Sequence, residues 1–203
     1  MVYNSYMQNI IIKDILSEDQ IKQIYEIVDS TPEESTTVQD RIGHKAYLVS
    51  LGENIREHLE KIVQDRFGED WILNAYQFAR YSKEYGYMPK LYPHYDDAFR
   101  DHKLTLDVQI KGTKPWGIVV EGDEYILNNN EALTFSGTDQ IHWRSDIEFN
   151  DDDCFDMIFC HFSKVNDSRG KIGEEWLNYM KYKEEFWLNK INISSEAIKL
   201  EDK

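Results

Sequence analysis

The sequence predicts a mainly β fold with flanking helices, on the evidence of three features. Two amphipathic segments with helical spacing lie within the first 70 residues. Residues 71–163 show short apolar runs separated by Gly, Pro and Asn turn signals, which predict a series of strands. Residues 174–191 are rich in apolar and aromatic side chains and predict a C-terminal helix. Helices that precede a run of strands indicate a helical layer on one face of a sheet.

The first predicted helix has a clear beginning. Ser17 can cap it, and Gln20 stands three residues later, as in a capping box. The second predicted helix covers Asn54 to Phe67, with apolar residues on one stripe and charges on the other face. Between the helices, residues 34–40 predict a polar loop and residues 46–51 a short strand.

The length predicts a single domain over residues 1–203. Within it we expect a helical support region at 1–70, a β core at 71–163 and the C-terminal helix at 174–191. Hydrophobic residues make up 41% of the chain, which is typical of a globular protein.

Charge and cysteine content indicate the class of partner and the compartment. The formal net charge of −15 disfavours binding to nucleic acid or to an anionic membrane, because both carry negative charge. No segment reaches the roughly 18 apolar residues of a membrane span, and the N-terminus lacks a signal-peptide pattern.

Cys154 and Cys160 stand on one predicted strand and cannot easily pair with each other. We therefore expect them to fill the core of a cytoplasmic protein.

Three side chains have the pattern of a metal site. His94 and Asp96 are two residues apart in an extended segment, so both side chains point to the same face. His142 lies 48 residues further on, after a turn at Gly137, and can supply a third ligand. Two imidazoles and one carboxylate on one face of a metal leave other positions open for a chelating cosubstrate and dioxygen, which is the arrangement of oxygenases.

One predicted strand carries a polar face whose role the pattern leaves open. Residues 104–110 alternate, with Thr105, Asp107 and Gln109 on one side. In an ordinary sheet these three side chains would be solvated. In a small barrel they would line a wet cavity beside the metal.

The order of these elements and the spacing of the ligands resemble the Fe(II)- and 2-oxoglutarate-dependent dioxygenases, in particular the prolyl-4-hydroxylase-like branch. The residues that carry the resemblance are Tyr81-Ser82, Pro93-His94-Tyr95-Asp96, and Phe135-Ser136-Gly137 followed by His142. The resemblance implies a double-stranded β-helix, or jelly roll, with Fe(II), 2-oxoglutarate and O2 as cofactor and cosubstrates. It also implies hydroxylation, because the carboxylate of Asp96 leaves no ligand position for a halide.

The chain departs from this family at the cosubstrate anchor. The family places a basic residue about ten positions after the second histidine, and residues 151–155 contain neither Arg nor Lys. Arg144 and Lys103 are the candidates to replace it, and Arg144 suits a carboxylate through its planar fork. Tyr81 and Thr105 are the expected hydroxyl partners of the cosubstrate.

The substrate and two other functions stay open at this stage. A prolyl residue in a protein, a free amino acid or a small metabolite would each fit the resemblance. The missing base leaves room for a cupin-like barrel that binds a metal or ligand without turnover. The same three ligands could also serve a Zn(II) hydrolase.

Overall fold

A computed structural model describes residues 9–39, 43–85, 91–96, 104–165 and 174–190. The strands of this part of the chain are β1 (Ile10–Lys13), β2 (Thr36–Gln39), β3 (His44–Tyr47), β4 (Trp71–Ser82), β5 (Leu91–His94), β6 (Leu104–Gly112), β7 (Ile118–Val120), β8 (Asp123–Tyr125), β9 (Glu131–Phe135), β10 (His142–Arg144) and β11 (Cys154–Lys164). The helices are α1 (Glu18–Asp29), α2 (Glu53–Phe67) and α3 (Glu174–Lys190), with a short 3-10 helix at Glu33–Ser35.

The strands form two antiparallel sheets. The large sheet has the order β1-β9-β6-β11-β4-β3-β2, and the small sheet has the order β5-β10-β7-β8. From β4 to β11 the chain passes repeatedly from one sheet to the other, with β7 and β8 as the one consecutive pair within a sheet. This exchange between sheets is the predicted double-stranded β-helix, which the structure confirms.

The outer face of the large sheet packs against α1 and α2. Ile24 and Val28 of α1 and Leu59 of α2 are buried there, in one cluster with Leu106 and Ile158 of the sheet. Each fully buried aliphatic side chain contributes roughly 1.5–3 kcal/mol. The inner face of the large sheet looks toward the small sheet, and this interior holds the candidate site.

The carboxylate of Asp156 connects the helical layer to the large sheet. Asp156 of β11 is 2% exposed and accepts hydrogen bonds from Nε of Arg80 at 2.7 Å and Nη2 of Arg80 at 3.1 Å. The hydroxyl of Tyr25 in α1 donates to the same carboxylate at 2.9 Å. Burial first, and then the charge of Asp156, raise the pKa of Tyr25 well above its ordinary value.

The first 70 residues are not only helical. The predicted loop at 34–40 contains β2, which pairs with β3, and β1 pairs with β9 at the opposite edge of the large sheet. Each of these edge strands is only four residues long and forms by pairing with another segment, and so short a run carries little local signal for such pairing. The assignment of residues 1–203 to a single domain stays a prediction.

Helix α3 covers the small sheet, close to the predicted range 174–191. The ring of Trp187 lies 5.0 Å from the ring of Trp143 in β10. Lys183 pairs with Glu121, at the turn between β7 and β8. Within the described residues no helix is long and apolar enough to cross a membrane.

Candidate metal centre

The small sheet and the loop after β5 bring the three predicted ligands together. His94 ends β5 and pairs directly with His142, the first residue of β10. Asp96 follows two residues after His94, and its backbone N–H donates to the carbonyl of Gly137 at 2.9 Å. One ligand atom from each of the three side chains lies within 4.8 Å of the others. Oδ1 of Asp96 is 3.4 Å from Nε2 of His142 and 3.7 Å from Nε2 of His94.

Backbone carbonyls orient both histidines. Nδ1 of His94 lies 2.8 Å from the carbonyl oxygen of Tyr92, and Nδ1 of His142 lies 3.1 Å from that of Gln140. A carbonyl only accepts, so each Nδ1 carries the proton and each Nε2 keeps its lone pair. Both lone pairs are therefore available to a metal on the side where Asp96 stands.

The second oxygen of Asp96 is held from the large sheet. Oγ1 of Thr105 donates to Oδ2 at 3.2 Å, and Nδ1 of His161 lies 3.9 Å from the same oxygen. The turn at Gly137 presses against this carboxylate so closely that a side chain there would overlap it: a Cβ would lie 1.8 Å from Oδ2. Asp96 thus directs Oδ1 toward the histidines and Oδ2 toward the protein.

The electrostatics of the cluster favour a positive charge at its centre. Burial acts to raise the pKa of Asp96, but the charges of His142, His94 and His161, with the hydrogen bond to His142, together lower that pKa overall. Burial acts to lower the pKa of His142, and Asp96 raises it overall. Burial, aided by His142, lowers the pKa of His94 to about 4, which keeps this imidazole neutral at pH 7. Neutral imidazole and ionised carboxylate are the forms that bind metals.

The cluster opens to solvent on one side. The side chain of His94 is 35% exposed, that of Asp96 14% and that of His142 4%. A substrate can therefore approach past His94, while His142 lies against the protein interior.

Solved structures of similar shape carry the same architecture. An oxidoreductase of the 2OG-Fe(II) oxygenase family from Burkholderia pseudomallei has a TM-score of 0.61 at 13% identity, over 78% of this chain and 86% of that one. HygX from Streptomyces hygroscopicus, with nickel and 2-oxoglutarate bound, has a TM-score of 0.60 at 9% identity, over 78% and 83%. A prolyl hydroxylase from Trichoplax adhaerens, in complex with a peptide fragment of hypoxia inducible factor, has a TM-score of 0.53 at 13% identity, over 76% and 83%.

This chain has the fold of the 2OG-Fe(II) oxygenases. No family model matches it, and no curated protein is recognisably related by sequence. The likeness is therefore one of architecture, and the chemistry has to be argued from this chain's own residues.

The window in which the basic anchor was expected, residues 151–155, holds three aspartates followed by Cys154 and Phe155. The early part of β11 contributes Phe155, whose ring lies 5.2 Å from Trp116. Arg144, from the neighbouring β10, instead enters the interior between the sheets and is 3% exposed. Its Nη1 donates to the carbonyl of Trp116 at 2.7 Å, and its Cζ lies 4.9 Å from the centre of the Trp116 ring.

Arg144 keeps one donor group unused. Its Nη2 is buried and has no hydrogen-bond partner within the described part of the chain. Burial lowers the pKa of Arg144, and the nearby Tyr81 and Asp107 act in the opposite direction. A buried guanidinium with a free donor is costly, so this group is well suited to an anionic ligand.

The other predicted cosubstrate residues fall in different places. Tyr81, on the large sheet, is buried beside the ring of Trp116 at 5.0 Å, and Arg144 reaches the same ring from the small sheet. Thr105 contacts Asp96, so it lies at the metal end of the interior. Lys103 lies outside the described residues.

The polar face of β6 is buried, so the cavity interpretation of that strand fits better than solvation. Thr105, Asp107 and Gln109 are all under 5% exposed. Burial, opposed by Arg144, raises the pKa of Asp107 to about 7.

Two histidines of this interior were not predicted as site residues from the sequence. His161 of β11 stands near Asp96, and His44 of β3 lies beside Tyr81 with a ring distance of 5.0 Å. His161 did interrupt an otherwise apolar strand, which was a usable signal. His44 had no such signal in the sequence, because β3 joins the large sheet only through tertiary pairing.

Proposed function

We propose that this protein is an Fe(II)- and 2-oxoglutarate-dependent oxygenase with His94, Asp96 and His142 as the metal ligands. The observation that carries the proposal is the geometry of these three side chains. Both Nε2 atoms and one carboxylate oxygen converge from one side, and the cluster is open on the other. The donor set and the open side fit Fe(II) in a site that keeps positions free for further ligands.

When bound, Fe(II) would activate dioxygen, with 2-oxoglutarate as the co-reductant. The cosubstrate would be oxidised and decarboxylated to succinate and carbon dioxide, and the substrate would gain a hydroxyl group. The chain's own residues would prepare the site for this chemistry. The carbonyls of Tyr92 and Gln140 hold the two imidazoles in the metal-binding tautomer. Thr105 holds Oδ2 of Asp96 and so leaves Oδ1 for the metal.

Arg144 is the proposed anchor for the distal carboxylate of 2-oxoglutarate. Three features of the interior support this role: its Nη2 is buried and unused, Trp116 holds the guanidinium in place, and Tyr81 packs against Trp116 on the same face. Arg144 follows His142 by two residues in one strand, so both side chains enter the interior from the same side.

For the substrate we propose an unactivated carbon of a prolyl residue, a free amino acid or a small metabolite. The exposed side of the cluster at His94 offers the approach. The similar structures include a prolyl hydroxylase bound to a peptide and HygX bound to hygromycin B, so both classes of substrate suit this architecture.

Anaerobic titration tests the proposal. Addition of Fe(II) and 2-oxoglutarate together to the purified protein should produce a visible metal-to-ligand charge-transfer band, and neither additive alone should. His142→Ala should abolish the band. His58→Ala is the control, because His58 contacts the carbonyl of Ile15 in the helical layer and lies away from the cluster. Absence of the band in folded wild-type protein would refute the proposal.

Measurements in air separate the remaining alternatives. An oxygenase should form succinate from 2-oxoglutarate in the presence of Fe(II) and oxygen. A cupin-like binding barrel would bind the metal and form no succinate. A hydrolase would show activity that requires Zn(II) and is independent of both oxygen and 2-oxoglutarate.

A further inference from the structure

His44 is a buried histidine with no hydrogen-bond partner among the described residues. It is 5% exposed, and neither Nδ1 nor Nε2 has a partner in the described structure. Buried polar atoms are almost always hydrogen-bonded in native proteins, since leaving them without a partner is costly. Burial lowers the pKa of His44 to about 4, so its ring is neutral at pH 7 and offers one N–H donor.

Its position places it in the same interior as Arg144. His44 of β3 is directly opposite Tyr81 of β4, so their side chains stand on the same face of the large sheet. The ring of Tyr81 lies 5.0 Å from His44 on one side and 5.0 Å from Trp116 on the other. Trp116 in turn holds the guanidinium of Arg144.

Two buried nitrogen-bearing side chains with unused hydrogen-bonding capacity therefore lie in this interior, His44 against Tyr81 and Arg144 against Trp116. Arg144 cannot offer both ends of its fork freely, because Nη1 already donates to the carbonyl of Trp116. A carboxylate has about four acceptor sites on its two oxygens and is best satisfied by several donors. One donor from Arg144 and one from His44 would bind such a group from two directions.

We infer that His44 is a binding residue for the distal carboxylate of 2-oxoglutarate, acting together with Arg144. The inference rests on the proposed function. It also accounts for the lack of Arg and Lys at residues 151–155, where the resemblance implied a base: the donors come from β10 and β3 instead.

Affinity measurements on His44→Phe test the inference. The anaerobic charge-transfer titration gives the affinity for 2-oxoglutarate, and the same titration with 2-oxobutyrate gives the affinity for a 2-oxo acid without a distal carboxylate. We expect His44→Phe to weaken 2-oxoglutarate binding about 10- to 100-fold, the loss expected for a hydrogen bond to a charged group. Affinities for 2-oxobutyrate and for Fe(II) should be unchanged.

Two further variants separate binding from folding. His44→Gln retains an N–H donor and should recover part of the lost affinity. His58→Phe, in the helical layer, should bind 2-oxoglutarate as the wild type does. Ligand-free His44→Phe should unfold at the same temperature as the wild type or a higher one, because it removes polar atoms that have no partner. A purely structural histidine would give the opposite result.

The outcomes distinguish this inference from the function on which it rests. If wild-type protein shows the band and His44→Phe binds 2-oxoglutarate equally well, the inference is wrong and the proposed function stands. Equal losses for 2-oxoglutarate and 2-oxobutyrate would also overturn it, because the distal carboxylate would then not be the group recognised. If the wild type shows no band, both fail together.

Discussion

The absence of a side chain at Gly137 is what allows Asp96 to face the histidines, and Gly137→Ala should therefore disable metal binding. A Cβ at this position would lie 1.8 Å from Oδ2 of Asp96 and 2.5 Å from Oγ1 of Thr105, whereas real Cβ atoms essentially never approach closer than 3.0 Å. The carboxylate would have to move until Oδ2 lies at least 3.0 Å from the Cβ, where it would now lie at 1.8 Å. Because a carboxylate is rigid, Oδ1 would move with Oδ2.

The size of the effect follows from the tolerance of metal coordination. Ligand distances in metal sites hold to within roughly 0.2 Å, so a displacement of more than 1 Å removes Asp96 as a ligand. Loss of outer contacts alone commonly costs about 10- to 100-fold in metal affinity, and we expect at least that loss here. Backbone strain does not contribute, because Gly137 is not among the glycines with positive φ.

Anaerobic Fe(II) titration, with Co(II) as a spectroscopic substitute, measures the effect. Gly117→Ala is the matched control: its Cβ would meet only the side chain of Glu124, at 2.6 Å, and that exposed side chain can rotate away. Thermal unfolding verifies that both variants are folded. If folded Gly137→Ala binds the metal as tightly as the wild type, Asp96 is not a ligand and the proposed centre is wrong.

Three further predictions concern stability and the packing of the last helix. Burial raises the pKa of Asp107 from 3.8 to about 7, so the folded protein keeps a proton that the unfolded chain releases. The free energy of unfolding of the wild type should therefore fall relative to that of Asp107→Asn as pH rises from about 4 to about 7, by on the order of 4 kcal/mol. If urea unfolding gives a constant difference in stability between the two proteins across this range, the burial argument is wrong. Asp156→Ala should lower the free energy of unfolding by about 3 kcal/mol in the same assay, because it leaves Arg80 partly buried without its partner. The control Asp151→Ala removes an exposed carboxylate and should change the free energy of unfolding by less than about 0.5 kcal/mol. Trp187→Ala should accelerate hydrogen exchange in α3 because it removes a ring that packs on the small sheet, and unchanged exchange would show that other contacts hold the helix.

Local patterns in the sequence were sufficient for the helices. The capping box at Ser17 and Gln20 is present, and α2 begins and ends within one residue of its predicted range. These features depend on contacts within a few residues, so the sequence contains most of the information. The segment of β2 was predicted to be a loop, and this was wrong. The strand forms because it pairs with β3 at the edge of the large sheet, which its own residues do not indicate.

The candidate site was accessible to prediction only in part. His94 and Asp96 could be paired because a strand places residues two apart on one face. Their approach to His142, which the structure provides, depends on the pairing of β5 with β10. That the three bind a metal stays a prediction.

Arg144 illustrates the boundary between the two kinds of information. The sequence identified it as a candidate because the expected base was absent, but its spacing from His142 does not specify where the guanidinium lies. In the structure, contact with Trp116 directs the guanidinium to a separate part of the interior.

By itself, the sequence determined the features that depend on nearby residues: the helix ends, the alternation of the strands, the charge and the spacing of His94 and Asp96. Only the tertiary structure decided which distant residues meet there. It placed Gly137 against Asp96, His44 beside Tyr81, and Arg144 against Trp116. The physical reason is that these contacts arise when two sheets close over a common interior, and the energy of that burial depends on the whole fold.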